Sequence, residues 1–124
     1  MSITFYAATY EAARNCFVPV EQDDRLNVSN TNGREILESL DLEFVDGGLD
    51  PIDINDFIAR CRTYVKRVEG FDEPELPSHT SRSLYGPTII ECGRSENYLK
   101  TRIAQLLMEC EAGLKLNATH VYAC

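Results

Sequence analysis

The sequence predicts an α/β domain, with α+β as the alternative, in which about three helices pack on one face of a small mixed β-sheet. Two stretches, Ile54 to Val68 and Leu99 to Leu114, repeat apolar residues at spacings of three and four. That is the period of a helix with one buried stripe. A third stretch, Ile3 to Tyr10, is rich in β-branched and aromatic residues and reads as a strand. The 124 residues and 44% hydrophobic content fit a single domain over the whole chain, 1–124, able to bury a core without staples.

The elements follow in order. After the first strand, Cys16-Phe17-Val18-Pro19-Val20 reads as a short second one, joined to it as a hairpin across Glu11 to Asn15. Pro19 cannot donate to a ladder, which puts that strand at an edge. Glu21 to Asn32 is polar and irregular. Asn32 is then the expected N-cap of a short helix, with Glu35 completing a capping box and Ile36, Leu37 and Leu40 on its apolar face. Leu42 to Val45 reads as a brief extended segment, stopped by Asp46-Gly47-Gly48. Asp53 is the expected cap of the second helix, and Asp56 suits the positive end of its dipole. Ile54, Phe57, Ile58, Cys61, Tyr64, Val65 and Val68 form its stripe, and Gly70 ends it.

Phe71 to Pro87 is a long connection with three prolines, of the kind that is functional or mobile in small domains. Thr88-Ile89-Ile90-Glu91-Cys92 reads as a buried strand. Gly93-Arg94 makes a turn, and Ser95 is the expected N-cap of the third helix. Leu99, Ile103, Leu106, Leu107, Cys110 and Leu114 give that helix its stripe, and Ala118 to Ala123 closes the chain as a strand. This strand–helix–strand tail predicts a βαβ unit with a right-handed crossover.

The net charge is −8, and one window holds all of it. Glu35, Glu38, Asp41, Glu43, Asp46, Asp50, Asp53 and Asp56 lie between residues 35 and 59 with no lysine or arginine among them. Direct binding of nucleic acid is disfavoured, because neutralising phosphates needs a basic face. An acidic face suits a basic or nucleic-acid-binding protein. The same residues also read as helix caps and a solvated face. No apolar run is long enough to span a bilayer, and Met1 to Phe5 lacks the features of a secretory signal. The five cysteines, Cys16, Cys61, Cys92, Cys110 and Cys124, are widely spaced. Neither a disulfide framework nor a zinc site is expected, and a reducing cytoplasm is.

Two junctions could hold a ligand. Leu26-Asn27-Val28-Ser29-Asn30-Thr31-Asn32-Gly33 sets the amides of Asn27, Asn30 and Asn32 ahead of a helix, where they can read a polar ligand or satisfy their own turns. Cys92-Gly93-Arg94-Ser95 leads from strand to helix N-terminus, where free N–H groups and Arg94 suit an anion. A tight turn with an ordinary cap explains it as well. No catalytic residue, metal ligand or cofactor site is expected. His79 sits in a loop with no nucleophile elbow, and His120 reads as structural. Asp46, Asp50, Asp53 and Asp56 lack the order of a calcium loop. Tyr98 and Arg102 share a helix face, as a partner surface or as solvent-facing residues.

Residues 26–32, leading into the leucine-rich helix, resemble a group of small uncharacterised proteins encoded in phage and bacterial genomes. So does the stretch from Glu91 to Ile103, Glu-Cys-Gly-Arg-Ser-Glu-Asn-Tyr-Leu-Lys-Thr-Arg-Ile. The resemblance implies a phage or mobile-element origin and carries no activity, cofactor or catalytic residue. The expected function is a non-catalytic cytoplasmic interaction protein that modulates a host protein through Asp46, Asp50, Asp53, Asp56 and the rest of the acidic window. The alternatives are a small-molecule or nucleotide-binding domain built on the two junctions, and a structural homo-oligomer.

Overall fold

The computed structural model describes residues 2–22, 25–70, 79–82, 88–91 and 97–124. Strand β1 (Ser2–Glu11) runs through the middle of a five-stranded sheet. A turn over residues 12–15 returns the chain as β2 (Cys16–Pro19), antiparallel to β1. β3 (Asn27–Ser29) then pairs with the other half of the same edge, Ile3 opposite Val28. Bonds from Val20 N to Ala7 O (3.0 Å) and from Phe5 N to Leu26 O (2.9 Å) continue the ladder on both sides of the gap. β2 and β3 therefore lie end to end along one edge of β1, with the ladder resuming at Leu26. On the opposite edge, β7 (His120–Ala123) pairs with β1, and β4 (Leu49–Asp53) with β7.

Alternation decides which face is buried. Ile3, Phe5 and Ala7 of β1 and Val121 and Ala123 of β7 point into the core, with at most 3% of each exposed. All three helices described, α1 (Asn30–Ser39), α2 (Ile54–Arg67) and α3 (Tyr98–Lys115), meet that face. A Cβ on Gly33 of α1 would lie 2.3 Å from the Ile3 side chain. The Phe57 ring of α2 is 6.4 Å from that of Phe5. A Cβ on Gly113 of α3 would lie 2.7 Å from Ala7 Cβ. The two glycines let their helices approach the strand this closely. Burial of Ile36, Leu37, Phe57, Cys61, Ile103 and Leu106, each wholly or almost wholly covered, supplies the main stabilisation.

Three helices on one face of a sheet is the expected arrangement, in its α+β form. The paired strands are antiparallel throughout, so the mixed sheet is corrected. The expected βαβ unit is corrected with it. β6 (Thr88–Glu91) does precede α3 and β7 in the chain, but it pairs with β5 (His79–Arg82) in a separate two-stranded sheet. That hairpin also places His79 in a strand rather than a loop.

Local chemistry moves other boundaries. Ser29, not Asn32, caps α1: its Oγ accepts the Asn32 N–H at 3.2 Å. Residues 42–44 form no strand, and Val45 bridges Gly48 around an Asp46-Gly47 turn with both φ angles positive, the geometry of a type I′ hairpin turn. Asp53 caps α2 as expected, accepting from Asn55 N at 2.8 Å and Asp56 N at 3.2 Å. α3 begins at Tyr98, after Asn97 with φ 57° and no side-chain cap. Cys92, Gly93, Arg94 and Ser95 lie outside the described residues, as does most of the 71–87 connection. No helix among the described residues is long and apolar enough to cross a membrane.

Candidate functional site

The acidic window wraps the end of α1, the 41–48 segment, β4 and the start of α2. Glu38, Asp41, Glu43, Asp46, Asp50, Asp53 and Asp56 are all exposed. Asp53 is committed to its cap, and Asp56 pairs with Arg60 at 3.3 Å. Among the described residues, no ion pair reaches Glu38, Asp41, Glu43, Asp46 or Asp50. The nearby arginines of α2 are directed elsewhere. Arg60 donates to the carbonyls of Leu40 and Asp41, each at 3.0 Å, and Arg67 to that of Ser39 at 3.3 Å. These are carbonyls that the end of α1 leaves without helical partners. A groove of about 300 Å³ runs between the two helices there.

The asparagine junction mostly satisfies itself. Asn27 Nδ2 donates to Thr4 Oγ1 at 2.7 Å and to Ser2 Oγ at 3.3 Å, across the β1–β3 pair. Asn32 contributes its backbone N–H to the Ser29 cap. Asn30 differs: its Oδ1 is buried and has no hydrogen-bond partner among the described residues. Arg94 and Ser95, the proposed anion pair, fall outside the described residues, so the two junctions are not seen together.

The sequence reading missed the outer face of the sheet. The side chains opposite the helices include Tyr6 and Tyr10 of β1, Phe17 of β2, and His120 and Tyr122 of β7. Tyr6 and Tyr122 stack with ring centroids 5.1 Å apart. Phe17 lies 5.2 Å from Tyr10 and meets the His120 ring edge-on at 4.8 Å. His120 Nδ1 also lies 2.8 Å from Thr119 Oγ1. Arg25 sits over the Tyr6 ring at 5.0 Å and donates to Val20 O at 2.9 Å. The register Tyr6 opposite Tyr122 and Tyr10 opposite Phe17 produces this cluster. Period-two spacing of Tyr6, Ala8 and Tyr10 was its signal in the sequence.

Glu109 of α3 holds Gln22 and Leu26, on the chain between β2 and β3. Glu109, 7% exposed, accepts the Leu26 N–H at Oε1 (3.0 Å), and its own carbonyl accepts from Gln22 Nε2 (2.9 Å). Burial pushes its carboxyl up to about 7, against the Leu26 bond and the Arg25 charge, which lower it. Beside it lies a groove of about 690 Å³ lined by Glu21, Gln22, Arg25, Gln105 and Met108 among others. Burial likewise pushes the Cys61 thiol up to about 12, and Cys110 rises for the same reason. Both are packed as small apolar groups. Tyr98 is covered by the Arg102 guanidinium at 5.1 Å, a contact within α3. Among the described residues, no three His, Cys, Asp or Glu side chains come together to hold a metal ion.

The chain has no matching family model, curated protein or solved structure. Its function is therefore argued from its own surfaces.

Proposed function

We propose that this is a non-catalytic interaction protein, carried by a phage or mobile element, that binds and modulates a basic host protein in the cytoplasm through residues 35–59. One observation carries the reading: five exposed carboxylates, Glu38, Asp41, Glu43, Asp46 and Asp50, have no cationic partner among the described residues. Asp41 and Asp46 take positive φ, which aspartate tolerates, so their backbone positions account for the residue type; Glu38, Glu43 and Asp50 have no such backbone role. Glu38 occupies the last turn of α1, and Asp41 follows its end, at the negative pole of the helix dipole where a carboxylate is unfavourable. A basic partner would neutralise what the chain leaves unneutralised.

The test is capture from host-type lysate with tagged protein at low and moderate salt, comparing the wild type with Asp46→Lys/Asp50→Lys. The expected outcome is one stoichiometric basic protein, released by salt and lost in the reversed variant. Capture that survives both overturns the reading.

A second reading, a small polar ligand at the 27–33 junction, rests on the buried Asn30 Oδ1, which has no hydrogen-bond partner among the described residues. It predicts a nucleotide or similar ligand that raises the melting temperature of the wild type but not of Asn30→Ala.

A further inference from the structure

We propose that the outer face of the sheet, which none of the described helices covers, docks a segment of a partner protein in which basic side chains flank an aromatic or aliphatic one. This rests on the reading above, of an acidic face that binds a basic partner, and gives it a contact surface. Three observations carry it.

The outer face is not a merely solvated one. An antiparallel sheet with one face in water ordinarily shows polar residues there. This face shows five rings, with Tyr10 41% exposed and Tyr6, Phe17, His120 and Tyr122 half-buried. None of the five belongs to the hydrophobic core. Clustered tyrosine and phenylalanine with a polar margin is the composition of an interface centre.

Both sheet edges discourage an added strand. β2 carries Pro19, and β4 carries Pro51 beside a shift of register between Leu49 and Ile52. Prolines and irregularities block edge pairing, so a partner lies across the rings rather than extending the ladder.

The charge at the margin selects the partner. β4, the edge strand next to β7, brings exposed Asp50 and Asp53 to the rim, with Asp46 in the turn before it. Electron-rich ring faces also attract cations, and Tyr6 already holds Arg25 in that way. A phosphate backbone would meet the carboxylate rim and the −8 net charge, and a second copy would bring another −8. A basic segment with an apolar centre complements both parts of the face.

The test is an NMR titration of the full chain with a synthetic peptide holding a Trp-Leu pair between lysine pairs. The comparison probes are pentalysine, the same peptide with glutamate for lysine, and a thymidine oligonucleotide. Shifts at Tyr10, Tyr122, His120 and Asp50 with the mixed peptide are expected. Tyr10→Ser should weaken binding about fivefold with its circular dichroism unchanged. Asp50→Lys should weaken binding at low salt only. Shifts confined to Glu38, Asp41 and Glu43, or pentalysine binding as well as the mixed peptide, would overturn the sheet-face surface and leave the acidic reading standing. Tighter binding of the oligonucleotide or of the glutamate peptide would overturn both, as would no shift with any probe. Ring shifts on self-dilution, with dimer mass in sedimentation, would show that a second copy takes the face and would overturn the proposal.

Discussion

Replacing Glu109 with glutamine should remove a pH dependence that the wild type shows between about pH 4.5 and 7. The side chain is 7% exposed, and its carboxyl is raised by burial from 4.5 to about 7. Across that window the folded chain keeps a proton that the unfolded chain has released, so stability falls as pH rises and levels off above about 7. At 1.36 kcal/mol per pH unit, the full loss is about 3 kcal/mol. Glutamine keeps an oxygen to accept the Leu26 N–H and cannot ionise. At pH 5 the variant should match the wild type closely, and at pH 8 it should be the more stable by up to about 3 kcal/mol. Urea unfolding at intervals from pH 4.5 to 8 measures the difference, which cancels the carboxylates the two proteins share. Glu109→Ala should lose stability at every pH, by about 1–3 kcal/mol, because it orphans the buried Leu26 N–H. A difference between wild type and Glu109→Gln that stays flat across the series would refute the reasoning: Glu109 would then be ionised or hydrated in the fold.

Other expectations can be checked on the same footing. Asp53→Ala removes the α2 cap and should cost about 1 kcal/mol in urea unfolding. Gly48→Ala should be worse than Gly33→Ala. The new Cβ at 48 would lie 2.1 Å from Ala123 O, a backbone atom, whereas at 33 it meets the end of the Ile3 side chain. Thermal melts should rank the two, with about 1–3 kcal/mol at position 33. Arg60→Ala frees the Leu40 and Asp41 carbonyls and the Asp56 carboxylate together. It should cost about 1–2 kcal/mol, with faster amide exchange at the end of α1.

What could be read from the sequence was what a single segment determines by itself. The α2 stripe and its Asp53 cap are local patterns, and so is the hairpin from β1 to β2. β3 and β4 were not legible, because each is made by its partner. Asn27-Val28-Ser29 is too short to show a period, and Asp50-Pro51 reads as a break until β7 lies beside it. Asn32 misled because it is as good a capping residue as Ser29. Gly33 lies inside α1, close against Ile3. The βαβ expectation failed because the chain order of β6, α3 and β7 says nothing about which strands pair. Glu109 was missed, although Leu106, Glu109, Cys110 and Gly113 keep a three-four spacing that sets it on the buried stripe.

The two surfaces proposed to meet a partner share one physical signature: their side chains lie outside the hydrophobic core. Ile3, Phe5, Ala7, Val28, Leu49, Val121 and Ala123 make the sheet's buried contribution to the core. The rings on the opposite face pack on one another and lie on the face of the fully buried Ala8. Removing them should cost far less than emptying the core, where a lost aromatic costs about 3–5 kcal/mol. The carboxylates at the end of α1 cost stability against its dipole, about 0.3–1 kcal/mol each. Arg60 and Arg67 offset this by bonding the helix carbonyls rather than the carboxylates. A chain selected for stability alone would carry serine or threonine at Tyr10 and a lysine at Glu38. Rings and unpaired carboxylates held on a rigid scaffold are better explained by a partner that covers the first and neutralises the second.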